Sequence, residues 1–329
     1  MIEIQQVDDN LPLLEQMLAD HREAAEIYQT TNYWREKNSR LIQYLRNHGL
    51  KNFRRPSRDP SDPKRVFISF GATDDAAPLP PDEMMKLVAR YSGGSPAVGI
   101  DLLPASPLGD PIGFFHEGRF YTASWLNYYL RYAYVSRFID LSGKVIVEIG
   151  AGSGKQAHLL KQAHPDCTIL LFDIPPQSYV AHQYLQSVLG EDFVGYNKTR
   201  TYNASSDFVP GKVHVLCNWQ IDLLQGFSFD LLWNAASFQE MEPNVVRHYL
   251  AQCSGASNIY LMQAMTGQTV APAAGQHGVL EATTIDTYRS ALKKYQLRDM
   301  FAAPLAIPIH PIRYPYVDSF WSKRERSVS

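Results

Sequence analysis

The sequence predicts an α/β fold: a doubly wound, mostly parallel sheet carrying a mainly helical N-terminal extension. Three observations support this. From residue 144 onward, short apolar strand-like runs alternate with helical patterns. One of those strands runs directly into a glycine-rich turn, Gly150-Ala-Gly-Ser-Gly154, that opens a helix. Before residue 120 the apolar positions keep helical spacing instead, interrupted by stretches rich in proline and glycine.

The 329 residues suffice for one large domain or two ordinary ones, with a core that needs no staples. The formal charge of −2 supplies no basic field, so nucleic acid is not an expected partner. Cys167, Cys217 and Cys253 are far apart and odd in number, which argues for buried reduced thiols over a disulfide framework. The start, Met-Ile-Glu-Ile-Gln-Gln, lacks the pattern of a signal peptide. No run approaches the roughly 18 apolar residues that span a bilayer. A cytoplasmic protein with no membrane partner is expected.

Residues 11–48 read as helix, with Asn10 as cap, Pro12 in the first turn and Gly49 as stop. Thr30-Thr31-Asn32 divides the stretch in two. Arg54 to Pro63 holds three prolines and no periodicity, and reads as a solvated charged loop. A short helix is expected over 82–91 and a hairpin over 114–121, turning at Glu117-Gly118. Thr122–Ile139 is a helix rich in tyrosine (Tyr128, Tyr129, Tyr132, Tyr134), read as core packing, with a substrate-facing role for some of these tyrosines as the second reading. Strands are predicted at Val145–Val147, Thr168–Phe172, Val213–Leu216, Leu231–Trp233 and Ile259–Met262. Helices are expected at 155–163, 176–189 and after Glu242-Pro243. Thr284–Tyr295 reads as a further helix, and Phe301–Ala306 with Ile312–Phe320 as an antiparallel pair at one edge.

The glycine turn is the first candidate binding element. Glycine admits tight backbone angles and close approach of a ligand to the main chain. The spacing here is G-x-G-x-G rather than the dinucleotide fingerprint G-x-G-x-x-G, whose third glycine position is taken by Lys155. Asp173 ends the next strand, 19 residues beyond Gly154, where a carboxylate suits ribose hydroxyls. That acid serves either NAD or S-adenosylmethionine (SAM), since both carry an adenosine. Glu148, just before the turn, would repel a pyrophosphate but attract the cationic methionine end of SAM. A nicotinamide-dependent oxidoreductase therefore remains the alternative of another class, beside a non-catalytic SAM-binding protein.

On these residues the chain resembles the class I SAM-dependent methyltransferases over about residues 120–320. Glu148-Ile-Gly-Ala-Gly-Ser-Gly154 is similar to their first motif and Asp173 to their ribose-binding acid. The resemblance implies a Rossmann-like seven-stranded sheet with the last strand antiparallel. Asp173-Ile-Pro-Pro-Gln-Ser-Tyr and Phe229-Asp-Leu-Leu-Trp-Asn-Ala-Ala-Ser-Phe-Gln-Glu-Met241 are similar to a family of sugar O-methyltransferases from natural-product and surface-glycan pathways. Asp-Ile-Pro-Pro also resembles the Asp-Leu-Pro of phenolic O-methyltransferases, so a small phenolic or other acceptor, methylated on oxygen or nitrogen, is the second reading. The resemblance implies that Glu148, Gly150, Gly152 and Gly154 hold the methionine portion of SAM, and that Asp173 and Ile174 hold ribose and adenine. It places Asn218 and Trp219 beside the adenine, with Trp219 either stacking on it or filling the core next to it. Asn234 is implied to face the sulfonium and the acceptor.

A sugar hydroxyl is a poor nucleophile and needs a base to take its proton. Glu240, after the fourth strand, is the first candidate, with a rim carboxylate as the other reading. His277, in the small-residue loop 271–278, is the second. His310 is weaker, and His158 and His164 are expected to be exposed. No H-x-x-x-H or C-x-x-C pair is present, so no metal is expected. Residues 1–120 are expected to form a helical cap serving acceptor binding or dimerisation, and 121–329 the SAM-dependent domain. The partner is a small-molecule acceptor, and a homo-oligomer is allowed.

Overall fold

The computed structural model describes residues 6–74, 79–304 and 316–324. Helix α1 (Leu11–Glu23) begins where the Asn10 side chain accepts the Leu13 N–H at 3.2 Å, with Pro12 in the first turn. A single 3-10 turn, Glu26–Tyr28, separates it from α2 (Asn32–His48), which stops at Gly49 with φ 65°. A 3-10 helix, Pro63–Phe70, leads to α3 (Pro81–Ser92). The predicted hairpin is present as β1 (Phe114–His116) and β2 (Arg119–Tyr121), with Glu117 and Gly118 both at positive φ in its turn. The aromatic helix is α4 (Ala123–Val135), capped by the Thr122 hydroxyl on the Trp125 N–H.

The sheet then builds from β3 (Val145–Ile149), α5 (Lys155–Ala163), β4 (Thr168–Asp173), α6 (Pro175–Leu189), β5 (Phe193–Val194), α7 (Tyr196–Thr199), β6 (Val213–Cys217), β7 (Phe229–Ala235), α8 (Pro243–Gln252), β8 (Ala256–Ala264), α9 (Ile285–Ala291), β9 (Tyr295–Ala302) and β10 (Tyr316–Lys323). The strand order is β5-β6-β4-β3-β7-β8-β10-β9, and β10 runs antiparallel to both its neighbours. The seven expected strands are joined by β5, a two-residue edge strand too short to leave a period in the sequence. The order reverses beside β3, which pairs with β4 on one side and β7 on the other. Ligands of doubly wound sheets bind at the carboxyl ends of strands at such a switch point.

Apolar side chains alternate across the sheet into two cores. Ile146, Ile169, Leu171, Val213 and Leu231 face one way with α4, α5 and α6, while Val147, Leu170, Phe172, Leu216 and Leu232 face the other with α8 and α9. Burial on both faces explains why these strands read as continuous apolar runs. The first core also takes in Leu14, Met17, Leu41 and Phe67 of the N-terminal segment.

Three expectations are corrected. Arg54 is not in a solvated loop but fully buried, donating from Nε to Asp74 at 2.7 Å and from Nη1 to the carbonyls of Ser106 and Leu108. Its position is set by Asp74 and by Lys155, 3.4 Å from the same carboxylate, and both lie distant in sequence. His158 and His164 are buried rather than exposed: His158 pairs with the Tyr184 hydroxyl at 2.9 Å, and His164 with that of Tyr132 at 3.0 Å. The helix expected over 284–295 ends at Ala291, and Tyr295 opens β9 opposite Lys323, because sheet pairing overrides local periodicity there. In the predicted edge pair, the parts at 305–306 and 312–315, like His310, lie outside the described residues. All three cysteines are buried and free. No helix among the described residues is long and apolar enough to cross a membrane.

Candidate active site

Main-chain conformation at the carboxyl end of β3 determines the site. Gly150 and Gly154 sit at φ 76° and 78°, where only glycine is at ease. A Cβ at Gly150 would stand 2.1 Å from Ser237 Oγ, and one at Gly154 2.7 Å from Leu185. Gly150 therefore lets the loop after β7 close against the glycine turn, while Gly154 lets α5 pack on α6. Asp173 fixes the turn: its carboxylate accepts the Gly152 N–H at 2.8 Å and the Ile174 N–H at 2.7 Å. Ala236, beside Gly150, holds φ 59°, a conformation non-glycine residues seldom adopt and one that gathers at functional sites.

These loops border a cavity of about 220 Å³. Glu148, Gly150, Gly152, Asp173, Ile174, Asn218 and Glu240 all line it. Seven residues nominated from sequence, spread over more than ninety positions, thus meet at one surface. Four others do not reach its wall. Gly154 lies behind it at the start of α5. Asn234 is fully buried, donating to the Ile149 carbonyl at 2.7 Å and accepting the Phe238 N–H at 3.1 Å, so it ties the β7 loop to β3. Trp219 stacks on His21, with ring centroids 5.5 Å apart, and lines a separate hollow with Asp20 and Arg200. His277 is exposed, its ring 5.5 Å from that of Tyr33.

The electrostatics of the cavity are unusual. Burial pushes the Glu148 carboxyl up to about 8, against the pull of Arg131. One of its oxygens is buried with no hydrogen-bond partner. Burial likewise pushes Asp173 up to about 7, even with two backbone N–H groups bonded to it. Asn218 donates to the Tyr28 carbonyl at 2.7 Å and the Tyr249 hydroxyl at 3.0 Å, leaving its own oxygen buried and unpaired. Glu240 is half-buried on the cavity wall, and the protein packed around its carboxyl raises its pKa while Lys37 opposes the rise. Tyr33 and Trp34 of α2 stand near enough to its carboxylate to favour the charged form and so also oppose the rise. The Lys37 ammonium lies 3.3 Å from the Tyr33 ring centroid, and burial pulls its pKa down.

The N-terminal segment supplies wall residues that the sequence reading missed: Tyr33, Trp34 and Phe70, which line the cavity together with Tyr128 and Tyr316. Contacts hold that segment over the carboxyl edge: Thr31 to the Glu240 carbonyl, Asn32 to the carbonyls of Gln276 and Gly278, and Gln177 to Asn38. A second group is Ser124, Asn127 and Arg131 of α4, which sequence reading missed, with Tyr128, where the substrate-facing reading of that helix's tyrosines holds. Their i, i+3, i+4, i+7 spacing puts them on one helical face, a polar stripe on a helix read as aromatic core. Among the described residues no group of three or more His, Cys, Asp or Glu side chains is placed to hold a metal.

No family model matches the sequence. No curated protein matches it either. Solved structures do show similarity. The pyocyanin biosynthetic protein PhzM aligns at 14% identity and a TM-score of 0.38, over 58% of this chain and 53% of PhzM, so the match spans about half of that protein. Magnesium protoporphyrin IX methyltransferase (ChlM) from Synechocystis PCC 6803, with bound SAH, aligns at 13% identity and a TM-score of 0.41, over 61% of this chain and 84% of ChlM. A SAM-dependent methyltransferase from Aquifex aeolicus aligns at 10% identity and a TM-score of 0.39, over 60% and 93% of the two chains. Likeness at this level assigns neither ligand nor activity to this chain.

Proposed function

We propose that this chain is a SAM-dependent O-methyltransferase acting on a hydroxyl of a sugar or glycosylated natural product. The observation that supports it best is the buried, unpaired carboxylate oxygen of Glu148 in a cavity that also holds the glycine turn, Asp173 and Glu240. A lone carboxylate in such a place asks for a cation. SAM presents an ammonium and a sulfonium, whereas the pyrophosphate of a dinucleotide would meet Glu148 as a like charge. The donor set fits the cofactor further along: Asp173 suits ribose hydroxyls, and the unpaired Asn218 oxygen suits an adenine amino group.

When bound, SAM supplies an electrophilic methyl group. The protein's residues position and activate the acceptor. The aromatic wall of Tyr33, Trp34 and Phe70 excludes water and offers flat faces to a ring. Glu240 takes the acceptor's proton, and its raised pKa suits a base working near neutrality. Tyr33 and Trp34 line the same cavity beside it. His277, exposed and outside the cavity wall, is the second candidate base, on the loop that Asn32 ties down. Residues 1–120 act as a cap over the SAM-dependent domain, 121–329, and supply acceptor contacts. The sugar acceptor is favoured by the resemblance of residues 229–241, and the aromatic wall serves a phenolic acceptor equally well. Incubation with SAM and a panel of glycosides and phenols, read by mass spectrometry, tests the reading: a glycoside product heavier by one methyl supports it. Methylation of phenols alone would move the acceptor class, and no product from any acceptor would favour a binding protein without turnover.

A further inference from the structure

Glu148 is not the sole charged group short of a partner in the cavity. Arg131 projects from the polar stripe of α4, its guanidinium 4.9 Å from the Tyr128 ring centroid. Its Nε is buried with no hydrogen-bond partner, and among the described residues it enters no ion pair within 4 Å. Buried charged donors are seldom left so. Asp318 is near enough to feel its charge, but that carboxylate accepts the Tyr260 hydroxyl at 2.7 Å instead. Arg131 and Glu148 also feel each other's charge, yet no salt bridge joins them. An acid and a guanidinium thus share one cavity wall without pairing, each with an unmet atom.

We propose that Arg131 and Glu148 together form a receptor for a zwitterionic amino acid, Arg131 taking the α-carboxylate and Glu148 the α-ammonium of the methionine end of SAM. The assignment rests on the SAM reading above. A planar guanidinium suits a carboxylate, and the Tyr128 ring, 4.9 Å away, supports it from one side. A ligand of this kind satisfies both groups at once, whereas a plain cation would leave Arg131 unpaired and in repulsion with it.

Binding of SAM and of decarboxylated SAM, which keeps the ammonium and sulfonium but lacks the carboxylate, separates the two contacts. Calorimetric Kd values for the wild-type protein should favour SAM by roughly tenfold or more, the worth of one charge-assisted bond. Arg131→Met should bind the two ligands equally, and Arg131→Lys should keep part of the preference. Glu148→Gln should weaken both ligands by a similar factor. Each preference is a ratio taken on one preparation, so partial unfolding of a variant cancels. An Arg131→Met protein that keeps the wild-type preference overturns the assignment. So does a wild-type protein that binds both ligands equally, while leaving SAM binding itself intact. A wild-type protein that binds neither ligand overturns the SAM reading along with it.

Discussion

Glu148→Gln separates the demands of folding from those of binding. Burial moves the Glu148 carboxyl from 4.5 in an unfolded chain to about 8 in the native protein. Between those values the native state holds a proton that the unfolded state has lost, so stability falls as pH rises, by about 1.4 kcal/mol per unit. At pH 7 the accumulated cost is about 3 kcal/mol, a large part of an ordinary domain's stability. Glutamine is neutral and close in shape to the protonated acid. The variant should therefore be more stable than wild type at pH 7 by up to about 3 kcal/mol, with the gap closing near pH 4.5. Urea unfolding from pH 5 to 9 on both proteins isolates this one group, because Asp173 and Glu240 remain in each. The same variant should bind SAM more weakly, since the ligand's ammonium needs the carboxylate ionised. Parallel stability curves, with no gap opening toward high pH, would refute the burial argument.

Further expectations concern single contacts. Glu240→Gln should lower kcat by about 10²–10⁴ while leaving SAM affinity near wild type, measured by single-turnover kinetics and calorimetry. Arg54→Ala leaves the buried Asp74 with Lys155 and the hydroxyls of Thr122 and Ser124 but without its closest cation, and should cost about 3–5 kcal/mol in urea unfolding. Gly150→Ala forces a Cβ against Ser237 at a positive φ, and should abolish SAM binding with a loss of about 1–3 kcal/mol in stability. Turnover should survive EDTA, and loss of activity restored by Mg²⁺ would show a metal gathered from distant loops.

What the sequence made legible was local. A strand entering a glycine turn, an acid ending the next strand and an acid after the fourth are each set by a few neighbouring residues, and the sheet brings Glu148, Asp173 and Glu240 to one edge. Arg54 was misread because its burial depends on Asp74 and Lys155, which no local pattern connects to it. Tyr33, Trp34 and Phe70 were not nominated because the path of the N-terminal segment over the sheet is a tertiary choice. Arg131 had a visible signal in its spacing with Ser124, Asn127 and Tyr128, masked by a helix dense in aromatic residues. Trp219 and Asn234 stand beside the right strands, but one turns toward His21 and the other inward as a brace.

The central claim is that the cavity at the glycine turn receives SAM. Titration calorimetry of the full chain with SAM, S-adenosylhomocysteine and NADH tests it most directly. The account predicts single-site, mutually competitive binding of the two adenosyl amino acids, weakened by Glu148→Gln, and no heat from NADH. Saturable NADH binding with none from SAM would contradict it.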